Sequence, residues 1–178
     1  MTYQPKVLKI LTYGHPTLRV KCAPVTEFNE ELKQFAEDMF LTMAENDGIG
    51  LAASQVDRKI QVLVIGVPIK DKDELLEMAV VNPVILESGG SWDYEEGCLS
   101  FPELRNTVTR PEWIKLQYQD VDGQMHTIRA DGLLARVLQH EIDHLNGILF
   151  IDRLTAIRRA LMTKKLKQLE REGAQSCM

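Results

Sequence analysis

Two stretches of helical periodicity enclose a block of short β-branched runs, and that order leaves the chain few folds. From residue 29 to 46, Leu32, Phe35, Ala36, Met39, Phe40 and Met43 recur at three- and four-residue steps, with acidic residues on the other face. This predicts an amphipathic helix that stops at Asn46-Asp47-Gly48. The period then changes. Residues 60–67 and 79–84 are short β-branched runs bounded by charges, Pro and Gly, and runs 113–120 and 125–130 flank Asp122-Gly123 as a hairpin would. Tight turns rather than crossover helices join these runs, so antiparallel pairing is expected. A second helical pattern follows in Leu133, Leu134, Val137, Leu138, Ile142 and Leu145, with Asp131 suited to its N-cap and Asn146-Gly147 to its stop. A third (Ile157, Leu161, Met162, Leu166, Leu169) predicts a C-terminal helix over about 156–171. Strands clustered between helices imply an α+β fold, a mixed or antiparallel sheet packed against a central helix.

Residues 1–25, with Gly14, Pro16 and Pro24, read as an irregular arm, and no repeat or linker divides the chain. One domain over 1–178 is therefore expected, with a core over about 6–154. A formal charge of −5 argues against general nucleic-acid affinity, DNA included. Cys22, Cys98 and Cys177 are few, scattered and odd in number, which fits free thiols or a ligand in a reducing compartment. The N-terminus has no signal-like apolar stretch or Arg-rich leader, and no run is long enough to span a membrane. The expectation is a cytoplasmic protein with no membrane partner.

The second helical pattern carries His140-Glu141-Ile142-Asp143-His144. On a helix, residues four apart project from one face, so both imidazoles can reach one metal ion while Glu141 handles protons. The bland alternative is two solvated histidines, but Leu138, Ile142 and Leu145 bracket the pair with apolar residues. The third ligand decides the subclass. A metzincin-like continuation would need His where this chain has Phe150, and a thermolysin-like site would need a downstream carboxylate. Glu170 and Glu172 are the available ones, among Lys167 and Arg171 near the chain end, where fraying is common. Cys98, in a Gly-containing segment between strand candidates, offers a soft thiolate that suits Zn or Fe. Its plain alternative is a buried structural thiol.

Three segments together carry a family resemblance. Gly48-Ile49-Gly50-Leu51-Ala52-Ala53-Ser54-Gln55, Glu96-Gly97-Cys98-Leu99-Ser100 and Gln139-His140-Glu141-Ile142-Asp143-His144 resemble, in order, the three motifs of peptide deformylase, and the likeness runs from about residue 6 to residue 170. The resemblance implies removal of the formyl group from N-terminal formylmethionine of nascent polypeptides, with release of formate. It implies Cys98, His140 and His144 as ligands of one divalent metal. By the same resemblance that ion would be Fe2+ in the cell, with Zn2+, Ni2+ or Co2+ able to replace it. It further implies Glu141 as general base and acid, and the Gln55 amide and Leu99 backbone N–H as donors to the developing oxyanion. Gly50 would bond an extended peptide as an added strand, and Ile49, Leu133 and Val137 would form the methionine pocket.

Other residues keep two readings each. Arg136 departs from the apolar residue often found there in the family, giving either a more polar pocket rim or a contact to the substrate. Arg105 and Arg110 either contact the peptide beyond methionine or are solvated charges. Glu96 would support Arg105 or a ligand from behind. The basic C-terminal helix (Arg158, Arg159, Lys164, Lys165, Lys167, Arg171) is either a solvated face or, by the resemblance, a ribosome-docking surface. Two competitors complete the set. One is a conventional zinc endopeptidase. The other is a non-catalytic relative, for which a damaged ligand set would be expected.

Overall fold

The computed structural model describes residues 3–70 and 72–175, so the expectation of a free thiol at Cys177 lies outside the described residues. Helix α1 spans Glu30–Glu45, as its periodicity requires, and the Asn29 side chain caps it by accepting from the Leu32 N–H at 3.0 Å. A cap of this type is worth ~1 kcal/mol. Strands β1 (Gly50–Ala52), β2 (Val62–Pro68), β3 (Leu75–Gly89), β4 (Trp92–Cys98), β5 (Phe101–Arg110), β6 (Trp113–Gln119) and β7 (Met125–Asp131) follow. Then come α2 (Gly132–Leu145), a 3-10 turn at Phe150–Arg153, α3 (Ala156–Leu161) and α4 (Thr163–Gln175).

Five strands form one sheet in the order β1-β2-β3-β6-β7, and β4 pairs with β5 in a separate ribbon; every strand pair is antiparallel. The mixed alternative in the sequence reading thus gives way to antiparallel pairing throughout the named strands. Strand β2 explains the layering. Its residues alternate across the sheet, so Val62 and Val64 pack with Leu32, Phe35, Met39 and Met43 of α1, whereas Leu63, Ile65 and Val67 pack with Ala135, Leu138 and Leu145 of α2. Both faces are buried, which is why the strand reads as a continuous apolar run rather than an alternating one.

Two elements depart from the sequence reading. The β4–β5 ribbon has no apolar periodicity because much of what it buries is charge, namely Glu96 and Arg110. The single C-terminal helix is divided at Met162. Met162, Leu166 and Leu169 enter a third core with Phe101, Val108, Phe150 and Ile151, while Ile157 and Leu161 of α3 are left 76% and 83% exposed. At the start of α2, the expected Asp131 cap makes no side-chain cap hydrogen bond; its carboxylate accepts from Arg129 Nη2 at 3.2 Å instead. No helix among the described residues is long and apolar enough to cross a membrane.

Candidate metal and hydrolytic site

Three segments distant in sequence meet at one point because each is held by a different part of this frame. Helix α2 packs against β1 and β2 and presents His140, Glu141 and His144 toward the β4–β5 ribbon. Cys98 is the last residue of β4 and pairs with Phe101, so only Leu99 and Ser100 separate the two strands. Strand β1 crosses α2 so closely that a Cβ on Gly50 would lie 2.5 Å from Glu141 Oε1 and 2.8 Å from Val137 Cγ1. Glycine is needed there for space, not for a turn.

The ligand atoms of Cys98, His140 and His144 lie within 4.8 Å of one another, and Cys98 Sγ is 3.2 Å from His144 Nε2. For a tetrahedral ion with metal–sulfur and metal–nitrogen bonds of about 2.3 and 2.05 Å, sulfur and nitrogen should stand roughly 3.5 Å apart. The donor set therefore fits a transition-metal ion, and two imidazoles with a thiolate are the chemistry such an ion selects. His140 is oriented for this role. Its Nδ1 donates to Glu96 Oε2 at 2.9 Å, which leaves Nε2 to face the other ligands. Burial opposes the charged form of His140, yet Cys98 and Glu96 more than offset it and raise its pKa well above 6.5. Burial and the neighbouring His140 lower the pKa of His144 well below that value. Binding of an ion would displace the His140 proton.

Glu141 is 4% exposed, and its Oε2 is buried with no hydrogen-bond partner among the described residues. Burial pushes its carboxyl up to about 7, against the pull of His140. Gln55 is fixed from one end. Its Oε1 accepts from the Ala52 N–H at 2.9 Å, so Nε2 is turned toward Cys98 Sγ at 3.5 Å and Ser100 Oγ at 3.1 Å. A donor held in place beside the ligand set can stabilise negative charge developing there.

A cleft of about 930 Å³ opens over these groups, lined by Ile49, Leu133 and Val137 and by Leu99, Tyr94 and Arg105. Of the three ligand candidates, Cys98 and His140 border it, whereas His144 lies behind and is 1% exposed. Ile49 is 40% exposed at the mouth, and Arg105 is exposed beside Gly97.

Three expectations need correcting. Arg110 is neither solvated nor free for a peptide: it is buried, with Nε and Nη2 on Glu96 at 2.6 and 3.0 Å and Nη1 on Asp143 at 2.6 Å. Glu96 therefore pairs with Arg110 rather than Arg105, while its other reading, support of a ligand candidate from behind, matches its bond to His140. Burial pushes its carboxyl up, but His140 and Arg110 more than offset this and hold it well below the usual range, with both oxygens engaged by groups of this chain at the edge of the cleft. Arg136 is also buried, with both terminal nitrogens on groups of this chain. Charge next to a metal motif is easily taken for a substrate contact, because a sequence does not say which carboxylate lies underneath. Sequence reasoning also assigned no role to Ser100, which accepts from Gln55, or to Asp143, which accepts from Arg110 and from Arg153 at 2.6 and 3.0 Å. Their only sequence signal was membership of the same short motifs.

Comparison with known proteins places the chain in a family. Residues 7–160 match the Polypeptide deformylase family. A peptide deformylase of Wolinella succinogenes is 47% identical over 169 residues, which cover 93% of this chain and 98% of that protein. The crystal structure of peptide deformylase from Thermus thermophilus superposes with a TM-score of 0.86 at 40% identity, covering 94% of this chain and 99% of that one. A Met-Ala-Ser-bound crystal structure of class I type b peptide deformylase from Acinetobacter baumannii gives a TM-score of 0.80 at 38% identity, covering 85% and 100%.

Proposed function

This chain belongs to the polypeptide deformylase family, a family of hydrolases, and from that membership we propose that it removes the formyl group from N-formylmethionyl nascent peptides and releases formate. The observation that carries the reading is the convergence of Cys98, His140 and His144, with the Gln55 amide beside the thiol and the unpartnered Glu141 carboxylate next to them. We assign the three residues as ligands of one divalent ion per chain, Fe2+ in the cell and replaceable by Zn2+, Ni2+ or Co2+. When bound, such an ion supplies Lewis-acid polarisation that makes water acidic enough to lose a proton near neutral pH.

The chain's own residues do the rest. Glu141 takes the proton from the attacking water and returns it to the departing amine, a task suited to a carboxylate whose burial raises its pKa toward neutrality. Gln55 Nε2 and the Leu99 backbone N–H donate to the carbonyl oxygen of the formyl group as it gains charge. Gly50 lies on β1, the outermost strand of the sheet, and its backbone bonds an extended peptide. Ile49, Leu133 and Val137 receive the methionine side chain, and Arg105 lies where the following residues would pass. The peptide Met-Ala-Ser bound to the Acinetobacter deformylase is what this reaction would leave behind.

The decisive assay measures formate release from formyl-Met-Ala-Ser, with acetyl-Met-Ala-Ser and an unblocked internal peptide as comparisons. Formate from the first alone is expected. Cleavage of internal peptide bonds at a similar rate would instead mean an endopeptidase. We propose further that residues 1–178 act as one domain in the cytoplasm, and that the basic face of α4 docks near the ribosomal exit. Because α4 buries Leu166 and Leu169 in a core, the docking test is charge reversal of Lys164, Lys167 and Arg171 rather than truncation. Unchanged ribosome co-sedimentation at low salt would remove that part of the proposal.

A further inference from the structure

Arg136 precedes His140 by one helical turn and is 2% exposed, so an uncancelled guanidinium there would be costly. Its Nη1 donates to Glu96 Oε1 at 2.9 Å and to the Val108 carbonyl at 3.0 Å, and Nη2 donates to the Trp92 carbonyl. The guanidinium carbon lies 5.1 Å from the centroid of the Trp92 ring. One side chain thus ties α2 to both strands of the β4–β5 ribbon.

The target of this tie is the carboxylate beneath His140. A carboxylate offers about four lone-pair sites, and Glu96 has all of them filled. Oε1 accepts from Arg110 Nε and Arg136 Nη1, and Oε2 accepts from Arg110 Nη2 and His140 Nδ1. Arg110 approaches from β5 and Arg136 from α2, so the carboxylate is gripped from two elements and the bond to His140 is the remaining one. A carboxylate held this way fixes both the tautomer and the ring angle of the imidazole it receives from.

We propose that Arg136 is a positioning residue for the metal centre: it clamps Glu96 against Arg110 so that His140 presents Nε2 to the ion in one orientation. The proposal rests on the reading of His140 as a ligand. It also replaces the reading of Arg136 as a substrate contact, since both terminal nitrogens are committed to this chain. A planar guanidinium can serve Glu96, Val108 and Trp92 at once; an ammonium reaches fewer of them.

The test compares zinc-loaded wild type with Arg136→Met and Arg136→Lys, following zinc transfer to a chromophoric chelator and the ring-nitrogen NMR signals of His140. Outer partners of metal ligands typically contribute 10–100-fold in metal affinity, and a loss of about that size is expected for Arg136→Met, with kcat reduced and KM nearly unchanged. Arg136→Lys should recover part of the affinity. Val81→Ala, in the core on the α1 face, serves as a comparator for general destabilisation, and its zinc affinity should match wild type. Zinc retention in Arg136→Met no worse than in Val81→Ala, or a rise in KM alone, overturns the proposal. If Arg136→Met does not fold, Arg136→Lys decides, and wild-type zinc affinity and unshifted His140 signals in that variant overturn it. Failure of the deformylase reading is separate: it would appear as no formate from the wild-type enzyme, whatever the variants do to zinc.

Discussion

Replacing Gly50 by Ala tests whether the close crossing of β1 over α2 sets the catalytic geometry. The added Cβ would stand 2.5 Å from Glu141 Oε1, 2.8 Å from Val137 Cγ1 and 2.9 Å from Glu141 Cγ, whereas ordinary contact begins at 3.4 Å. Glu141 must therefore retreat by about 0.9 Å, or the strand must lift by a similar distance. Rotation of one side chain does not relieve the clash, because Val137 and Glu141 lie on the same stripe of α2 and are both struck. A displacement near 1 Å in a reacting group can cost about 10²-fold in rate, equivalent to ~2.7 kcal/mol of barrier. Overpacking should also lower stability by about 1–3 kcal/mol. The assay is formate release from formyl-Met-Ala-Ser at a temperature where melting curves show the variant folded, with metal content measured on the same sample. Gly66→Ala is the control, since its Cβ meets mainly the flexible Met43 Cε at 2.9 Å, and kcat should change less than about threefold. A folded, metal-replete Gly50→Ala enzyme with kcat within that same range would refute the argument.

Four further outcomes are expected. Gln55→Leu should lose about 10²–10³ in kcat, as removal of one oxyanion donor does, with KM for the formyl peptide little altered; a change in KM alone would assign Gln55 to binding. Glu141→Gln should lose about 10²–10⁴ in kcat while retaining the ion, and full activity would exclude it as the base. Zinc at about 100 times its Kd should add ~2.7 kcal/mol of stability to the metal-free protein, and Cys98→Ala should largely abolish the gain in melting temperature. The last concerns acid. Burial pushes the Asp152 carboxyl up, but Arg19 and the Leu149 N–H more than offset it, so its folded pKa lies below the ordinary 3.8. A depressed carboxylate contributes stability fully above its unfolded pKa and loses it as pH falls through the folded one. The melting-temperature advantage of wild type over Asp152→Asn should therefore be full at pH 6 and shrink below about pH 3.8; a gap constant to pH 2.5 would contradict this.

Helices α1 and α2 and the strands β2, β3, β6 and β7 were legible because each buries an apolar face, and periodicity reports burial of apolar side chains. The β4–β5 ribbon was not, since Glu96 and Arg110 are among the groups it buries, and a buried charge pair has no period. The same limit applied at the site. His140, Glu141 and His144 follow from helical spacing alone. Cys98 could be favoured by its chemistry, but its pairing with Phe101 across a two-residue turn is tertiary information. The peptide-contact readings of Arg110 and Arg136 and the pairing of Glu96 with Arg105 failed for one reason: residue type shows that a charge is present, and only the fold shows which opposite charge lies against it. The other reading of Glu96, support of a ligand candidate from behind, matches its bond to His140.

That arrangement of charges separates two carboxylates that share one site. Glu96 and Glu141 flank His140, one below the ring and one next to it in sequence, and both are almost fully buried. Burial alone would raise both. Glu96 receives two guanidinium groups and an imidazole N–H and stays ionised, whereas Glu141 has no cation in hydrogen-bond contact among the described residues and is pushed up to about 7, in part by the Glu96 charge itself. Buried ion pairs contribute little net stability compared with well-packed apolar groups, so the cluster of Glu96, Asp143, Arg110 and Arg136 is poorly explained as a stabilising device. It is better explained by what it makes different. On the proposed assignment, a permanently ionised acceptor would hold His140 in place as a metal ligand, while the neighbouring carboxylate would be left free to exchange a proton near neutral pH. Without the guanidinium groups Glu96 would keep only the His140 N–H, and the difference between the two carboxylates would shrink.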